Sequence, residues 1–439
     1  MVPDDSKDYL ELSRRQVVGL CSGSLVTGVL AGSIVSESLP LSSILDRECS
    51  SSPLVYDVSG WPTPHYDLSH SRCPPTSTCP VSPRNLTHSW SENSANEDPI
   101  PVVANGIVYL TVDRIDTQLV ALNLPDGSEL WSAKTTTPTD SPVAGGNVVI
   151  MPAERESGED VTHALTAVDG TVERSLPFTN RPFVADGRLH VLQSGRSNSG
   201  EDIERLQAYS INTGNRCWTQ KIQGRVADRP AYDGQTVYYP VVDFGVVGID
   251  SQTGAKIWRE EVQNTHPDKI SGTIRGHPIV SSGRVFISTY DGRLIALDRR
   301  DGTRLWTRAI RPVIVNNAAR WYDLGAVSEG ILVVRQRRHD DSADRLEAID
   351  TKSGDQQWVI EPPGNGRFSL PTIGDNVVYA GVSGTLSESG EVSQGLGVFD
   401  LETGLQQAFY PGPSGVSSGP VIADGRVVVP HFNGVRVLE

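Results

Sequence analysis

A short phrase recurs along this chain: an apolar strand, a small-residue turn ending in Gly, then a Trp about four residues on. Leu119-Val120-Ala121-Leu122 leads to Asp126-Gly127 and Trp131, and Leu206-Gln207-Ala208-Tyr209 leads to Thr213-Gly214 and Trp218. The phrase returns between Val246 and Trp258, Leu294 and Trp306, and Leu346 and Trp358. Two degenerate copies keep the turn and lose the Trp. One has Asp169-Gly170 with Ser175 near the expected place; the other has Thr403-Gly404 with Phe409 roughly replacing the Trp. Copies are preceded by a second signature of strand, Gly turn and strand, as in Val102 to Tyr109 and Ile279 to Phe286. Asn-Gly and Asp-Gly supply the positive φ that a two-residue hairpin needs, and the flanking β-branched and aromatic residues suit strands.

Each unit therefore reads as four antiparallel strands. One twisted sheet with two apolar faces cannot survive alone. Neighbouring sheets cover those faces, and closing the array into a ring removes the uncovered ends. The spacing predicts an all-β, eight-bladed β-propeller. Fourth-strand ends fall at residues 90, 131, 175, 218, 258, 306, 358 and 409. The last copy, from Pro420 to Leu438, lacks a fourth strand, while Arg84 to Trp90 is a lone strand ending in Trp. That N-terminal strand is expected to complete the last blade and close the ring, so the propeller spans 84–439. Seven blades is the alternative count, if one degenerate copy is not a blade.

The strand, Ala-x-Asp, Thr-Gly, Trp pattern resembles the repeat of pyrroloquinoline-quinone (PQQ)-dependent dehydrogenases, shared with the BamB-like outer-membrane assembly factors. The opening Gly60-Trp61-Pro62-Thr63-Pro64-His65-Tyr66-Asp67 resembles the leader of archaeal secreted members. In that family the Trp packs between blades. The resemblance thus implies structural wedges at Trp90, Trp131, Trp218, Trp258, Trp306 and Trp358. It specifies fold far better than function. The quinoprotein dehydrogenases add an adjacent Cys-Cys pair, a calcium held by Glu and Asn, and a catalytic Asp. This chain has no Cys-Cys and no Cys-x-x-Cys-His haem site. No cofactor is expected, PQQ included, and no catalytic residue is assigned. Asp250, Asp298, Asp350 and Asp400 precede turns and are expected to cap them.

Phosphate loops, His-Glu-x-x-His and Ser nucleophile elbows are absent from the sequence. The histidines are scattered. Arg311, Arg320, Arg335, Arg337 and Arg338 form a basic stretch. It is read as a solvated loop with Asp340, Asp341 and Asp344 beside it, and recognition of an anionic partner is the alternative. The net charge of −15 opposes nucleic acid and anionic lipid as partners. Only Lys7, Lys134, Lys221, Lys256, Lys269 and Lys352 are lysines, which points to a halophilic archaeal source.

Ser13-Arg14-Arg15 precedes an apolar run from Val17 to about Val35. Residues 1–36 therefore read as a twin-arginine export signal or an N-terminal membrane anchor, and either places the folded part outside the cytoplasm. Residues 37–83 read as an irregular leader. Cys73 and Cys79 flank five residues, for which a local disulfide is preferred over a metal pair, with unpaired thiols left open. Asn85-Leu86-Thr87 is a glycosylation sequon. The expectation for function is a non-catalytic, exported, monomeric scaffold that binds a protein partner. The alternative is a PQQ-dependent, dehydrogenase-like quinoprotein.

Overall fold

The computed structural model describes residues 60–439, with interruptions of which the longer are 94–99, 155–159, 177–182, 197–201, 211–214, 263–273, 311–319, 339–343, 385–393 and 414–417. Eight antiparallel sheets form the ring. Blade 1 contains Val102–Ala104, Ile107–Asp113, Thr117–Asn123 and Glu129–Lys134, from axis to rim. Blades 2 to 7 repeat this order. Blade 5, for example, is Ile274–Ser281, Arg284–Thr289, Arg293–Asp298 and Arg304–Ala309; blade 6 is Arg320–Ser328, Ile331–Arg338, Arg345–Asp350 and Gln356–Ile360. Blade 8 takes Val421–Ala423, Arg426–His431 and Gly434–Leu438 from the C-terminus and His88–Asn93 from the N-terminal side. Trp90 lies opposite Val437, and Thr87 exchanges both backbone hydrogen bonds with Glu439. The N-terminal strand thus closes the ring. Among the described residues no helix is long and apolar enough to cross a membrane.

The local chemistry follows the repeat. Asn105 and Gly106 have φ of 52° and 74°, the pair of positive values that matches a hairpin turn to strand twist. At the second turn Asp250 Oδ1 accepts from the backbone N–H groups of Gln252 and Thr253, and Asp400 does the same for Glu402 and Thr403. Within blades 1 and 3 to 6 the Trp sits opposite a small residue of the neighbouring strand: Ala121 for Trp131, Ala208 for Trp218, Gly248 for Trp258, Ala296 for Trp306, Ala348 for Trp358. The small residue leaves room for the indole.

The core lies between blades. One cluster joins Trp131 of blade 1 to Val149 and Leu165 of blade 2; another joins Trp258 of blade 4 to Val285 and Leu297 of blade 5. Each Trp also crosses that boundary with a hydrogen bond. Trp90 Nε1 donates to Leu124 O, Trp131 to Ala167 O, Trp218 to Ser251 O, Trp258 to Arg299 O, Trp306 to Thr351 O and Trp358 to Leu401 O, at 2.8–3.0 Å. The same rings lie under the turn glycines of the next blade. A Cβ on Gly254 would stand 2.5 Å from Trp218, and one on Gly302 would stand 2.6 Å from Trp258. Glycine is required at these turns by the packed indole as well as by φ.

The register corrects the two degenerate copies. Every blade of this type has a β-bulge just after the residue facing the Trp position. In blade 2 the bulge follows Ala164, which faces Arg174; in blade 7 it follows Val398, which faces Ala408. Arg174 and Ala408 therefore occupy the Trp positions. Ser175 and Phe409 stand one residue further and turn to the other side of their strands, since strand side chains alternate.

Candidate functional site

The segment from Gly60 to Cys79 is an axial plug. Gly60–Trp61 pairs with Ala104 and Val103 of blade 1. The chain then circles the axis, and its carbonyls accept backbone N–H groups from the innermost strand or its turn in six further blades. Pro62 O accepts from Ala144 of blade 2, Leu68 O from Tyr232 of blade 4, and Ser69 O from Val280 of blade 5. Ser71 O accepts from Val327 of blade 6, Arg72 O from Ile373 of blade 7, and Thr78 O from Gly425 of blade 8. Inner strands would otherwise present unpaired backbone groups at the axis. The plug satisfies them near the two-residue turns, on what is here called the plug face.

Its side chains lock it in place. Trp61 is fully buried, and Arg72 is 2% exposed. Arg72 donates to Pro371 O, Pro64 O, Thr372 Oγ1 and Pro420 O at 3.0–3.2 Å, so one guanidinium ties the plug to blade 7 and the entry of blade 8. Burial pulls its pKa down to about 9, with Arg335 adding to the effect; it stays a cation at neutral pH. Asp67 accepts from the backbone N–H and the hydroxyl of Ser71, both at 2.8 Å, which holds the turn before Arg72.

Three imidazoles meet beneath this turn. His65 stacks on His277 with ring centroids 3.8 Å apart, and His70 lies edge-on to both at 4.9 Å. His70 Nδ1 is 2.9 Å from Pro278 O. Burial drives all three pKa values down, His277 to about 3. Neighbouring charge acts in the same direction: on His65 from His277, His70, Arg72 and Arg229; on His70 from His277 and Arg229; on His277 from Arg72 and Arg229. Asp228 opposes this at His70, as does Asp323 at His277. The cluster is neutral at pH 7.

That neutrality has a sign-determined consequence. The folded values lie below the unfolded value near 6.5, so in between the unfolded chain holds more protons. The stabilisation is complete above about pH 6.5 and declines as pH falls, at up to about 1.4 kcal/mol per pH unit for each imidazole. Acid also relieves the repulsion of an acidic surface, so the comparison must be with a variant. His277→Gln is expected to flatten the acid limb of the thermal midpoint measured from pH 8 to 4. Parallel profiles for the two proteins would show that His277 titrates normally.

The expected site residues do not converge. The six Trp side chains are distributed around the ring, each at its own blade boundary. Cys73 and Cys79 are both free thiols, so the expected local bridge is not made. The 3-10 turn Thr76–Thr78 separates them. Cys73 packs with the cluster between blades 6 and 7, and Cys79 with the cluster containing Trp61 and Trp90. Cys217 is disulfide-bonded. Asn85 of the sequon is exposed.

The basic stretch is likewise corrected. Arg335 is 5% exposed and lies within a strand, paired to Asp323 at 2.7 Å. Arg311, and the side chains of Arg320 and Arg338, lie outside the described residues, as do the signal segment 1–36 and Asp340 and Asp341. No sequence signal marked the plug or the histidine cluster as a site.

The arrangement holds the plug in place. An open cleft of about 500 Å³ lies against the plug, lined by Pro62, Thr63, Tyr66, Asp67, Leu68 and Tyr232 among others. Its one plug carboxylate, Asp67, is held by Ser71 and Ser69. Among the described residues no three His, Cys, Asp or Glu side chains are grouped as metal ligands. The imidazoles meet by their ring faces and edges.

The sequence of residues 81–314 matches the family model described as outer membrane protein assembly factor BamB. No curated protein matches the sequence. Among solved structures, quinohemoprotein alcohol dehydrogenase from Comamonas testosteroni is similar at TM-score 0.63 and 14% identity, covering 90% of this chain and 81% of that one. A europium-containing methanol dehydrogenase has TM-score 0.60 and 13% identity, covering 86% and 90%. BamB from Moraxella catarrhalis has TM-score 0.52 and 17% identity, covering 81% and 97%. At these identities the structural likeness concerns the fold alone.

Proposed function

Because the chain belongs to the family of the outer membrane protein assembly factor BamB, we propose that it is a non-catalytic, extracytoplasmic scaffold that binds a protein partner. The family match over more than half of the chain carries this reading. Two features support it. The plug fills one end of the axis with the chain's own backbone, which leaves the opposite face for a partner. On that far face the strand ends are joined by long connections, such as those from Glu261 to Ile274, Ala309 to Arg320 and Ser383 to Gly395. The plug face instead carries short Gly turns. Segments that join strand ends on a rigid frame are where recognition concentrates. The twin-arginine-like segment at Arg14-Arg15 fits export of an already folded ring.

The second reading, a quinoprotein oxidoreductase, is favoured by likeness to the two dehydrogenases. This chain has no adjacent cysteine pair of the kind that the quinoprotein resemblance implies. Purification from the native host decides between them. The scaffold reading predicts a stoichiometric co-purifying protein and no quinone absorbance. A bound quinone with equimolar calcium would replace it with the dehydrogenase.

A further inference from the structure

At the far face, blades 5, 6 and 7 bring a set of arginines and aromatic rings to the axis. Arg275 of blade 5 lies between two rings, with Cζ 4.6 Å from the Trp321 centroid and 5.0 Å from that of Tyr290. Asp323 holds Arg275 at 2.8 Å and Arg335 at 2.7 Å, so one carboxylate serves two guanidinium groups. Arg335 also donates to Phe368 O of blade 7. Arg337 faces Trp321 in the strand register, Arg367 is exposed, and both lie close enough to Asp344 to act on its charge. Neither has a carboxylate within 4.0 Å among the described residues. Asp344 is the other nearby acid; it is 2% exposed.

Among the described residues, four arginines thus face two carboxylates, in a chain whose net charge is −15. The imbalance is local and opposite in sign to the rest of the molecule. One further observation points outward. Tyr290 is 42% exposed at the rim of the same cluster. Arginine forks are the donors that select carboxylates, and aromatic residues with Arg are the usual anchors of protein interfaces.

We infer that this mouth docks an acidic segment of the partner protein, its carboxylates received by Arg337 and Arg367. The inference rests on the scaffold reading and names the chemistry of its partner. The cluster spans three blades and opens at an exposed ring, which suits an extended peptide.

The test titrates the full chain with hexaglutamate and hexalysine peptides, followed by calorimetry and Trp fluorescence, at the lowest salt that leaves the melting transition unchanged. Hexaglutamate is expected to bind and hexalysine not to bind. Arg337→Glu and Arg367→Glu each weaken binding by about ten-fold or more, because charge reversal at a docking site opposes the ligand. Arg84→Glu makes the same change in net charge on the plug face and leaves binding intact. Arg367 is exposed, so its variant remains informative if Arg337→Glu fails to fold. Equal or absent binding of both peptides overturns the inference. So does equal weakening by Arg84→Glu, or saturable uptake of pyrroloquinoline quinone in place of the peptide. If Arg337→Glu still co-purifies with the native partner while hexaglutamate never binds, the scaffold stands and this site falls. If no partner accompanies either protein, the scaffold itself falls.

Discussion

Trp258→Ala lowers stability by about 3–5 kcal/mol, the range for truncating a buried aromatic side chain. Three losses combine. The indole leaves a void between blades 4 and 5, where Val285 and Leu297 pack against it. Arg299 O loses the donor held at 2.9 Å. The turn at Gly302 loses the ring beneath it, whose nearest atom is 2.6 Å from where a Cβ would stand. Trp258→Phe keeps most of the apolar volume and drops the hydrogen bond, so its cost is smaller, about 1–2 kcal/mol. Gly302→Ala should also destabilise, since the new methyl meets the ring and φ is +75°. Denaturant midpoints of the three variants give the order. An unaltered transition for Trp258→Ala would show that the ring is no wedge.

Removal of residues 84–93 is expected to abolish cooperative folding and leave the chain insoluble. The deletion takes the outer strand from blade 8 and leaves Gly434–Leu438 as an unpaired edge. It also removes Trp90, whose indole bonds to Leu124 O and lies under Gly127 of blade 1. The cluster that unites the plug with blades 1, 7 and 8 then opens to water. Natural domains hold only about 5–15 kcal/mol in reserve, and the loss of a strand, an indole and a sealed boundary together exceeds that. A soluble protein with a sharp melting transition would show that the ring does not depend on this strand.

The ring was legible in the sequence because its determinants are local. A Gly turn, a small residue and a Trp stand within a dozen residues of one another, and their repetition gives the blade and its boundary at once. The same locality explains the two misplaced positions. Ser175 and Phe409 are the residues that catch the eye, but the bulge after Ala164 and Val398 sets the register.

The plug was illegible for the opposite reason. Pro62, Leu68, Ser69, Ser71 and Arg72 act through their carbonyls, and any residue has a carbonyl. Its side-chain contacts join distant positions: His65 meets His277, and Arg72 meets Thr372 and Pro420. Arg335 was read as part of a solvated loop because its run of charges hides a strand. Alternation puts Arg335 and Arg337 on one side of that strand, and Asp323 comes from the neighbouring one. Only the fold assembles such clusters.

Ring closure is tested most directly by a cross-link across its seam. Ser91 and Arg436 are paired residues of blade 8, one from each end of the propeller sequence. The double variant Ser91→Cys with Arg436→Cys, oxidised at low protein concentration, should form an intramolecular disulfide at the mobility of the monomer and raise the melting temperature. A chain whose two ends lie apart would stay reduced or form only intermolecular dimers, and the closed eight-bladed ring would be contradicted.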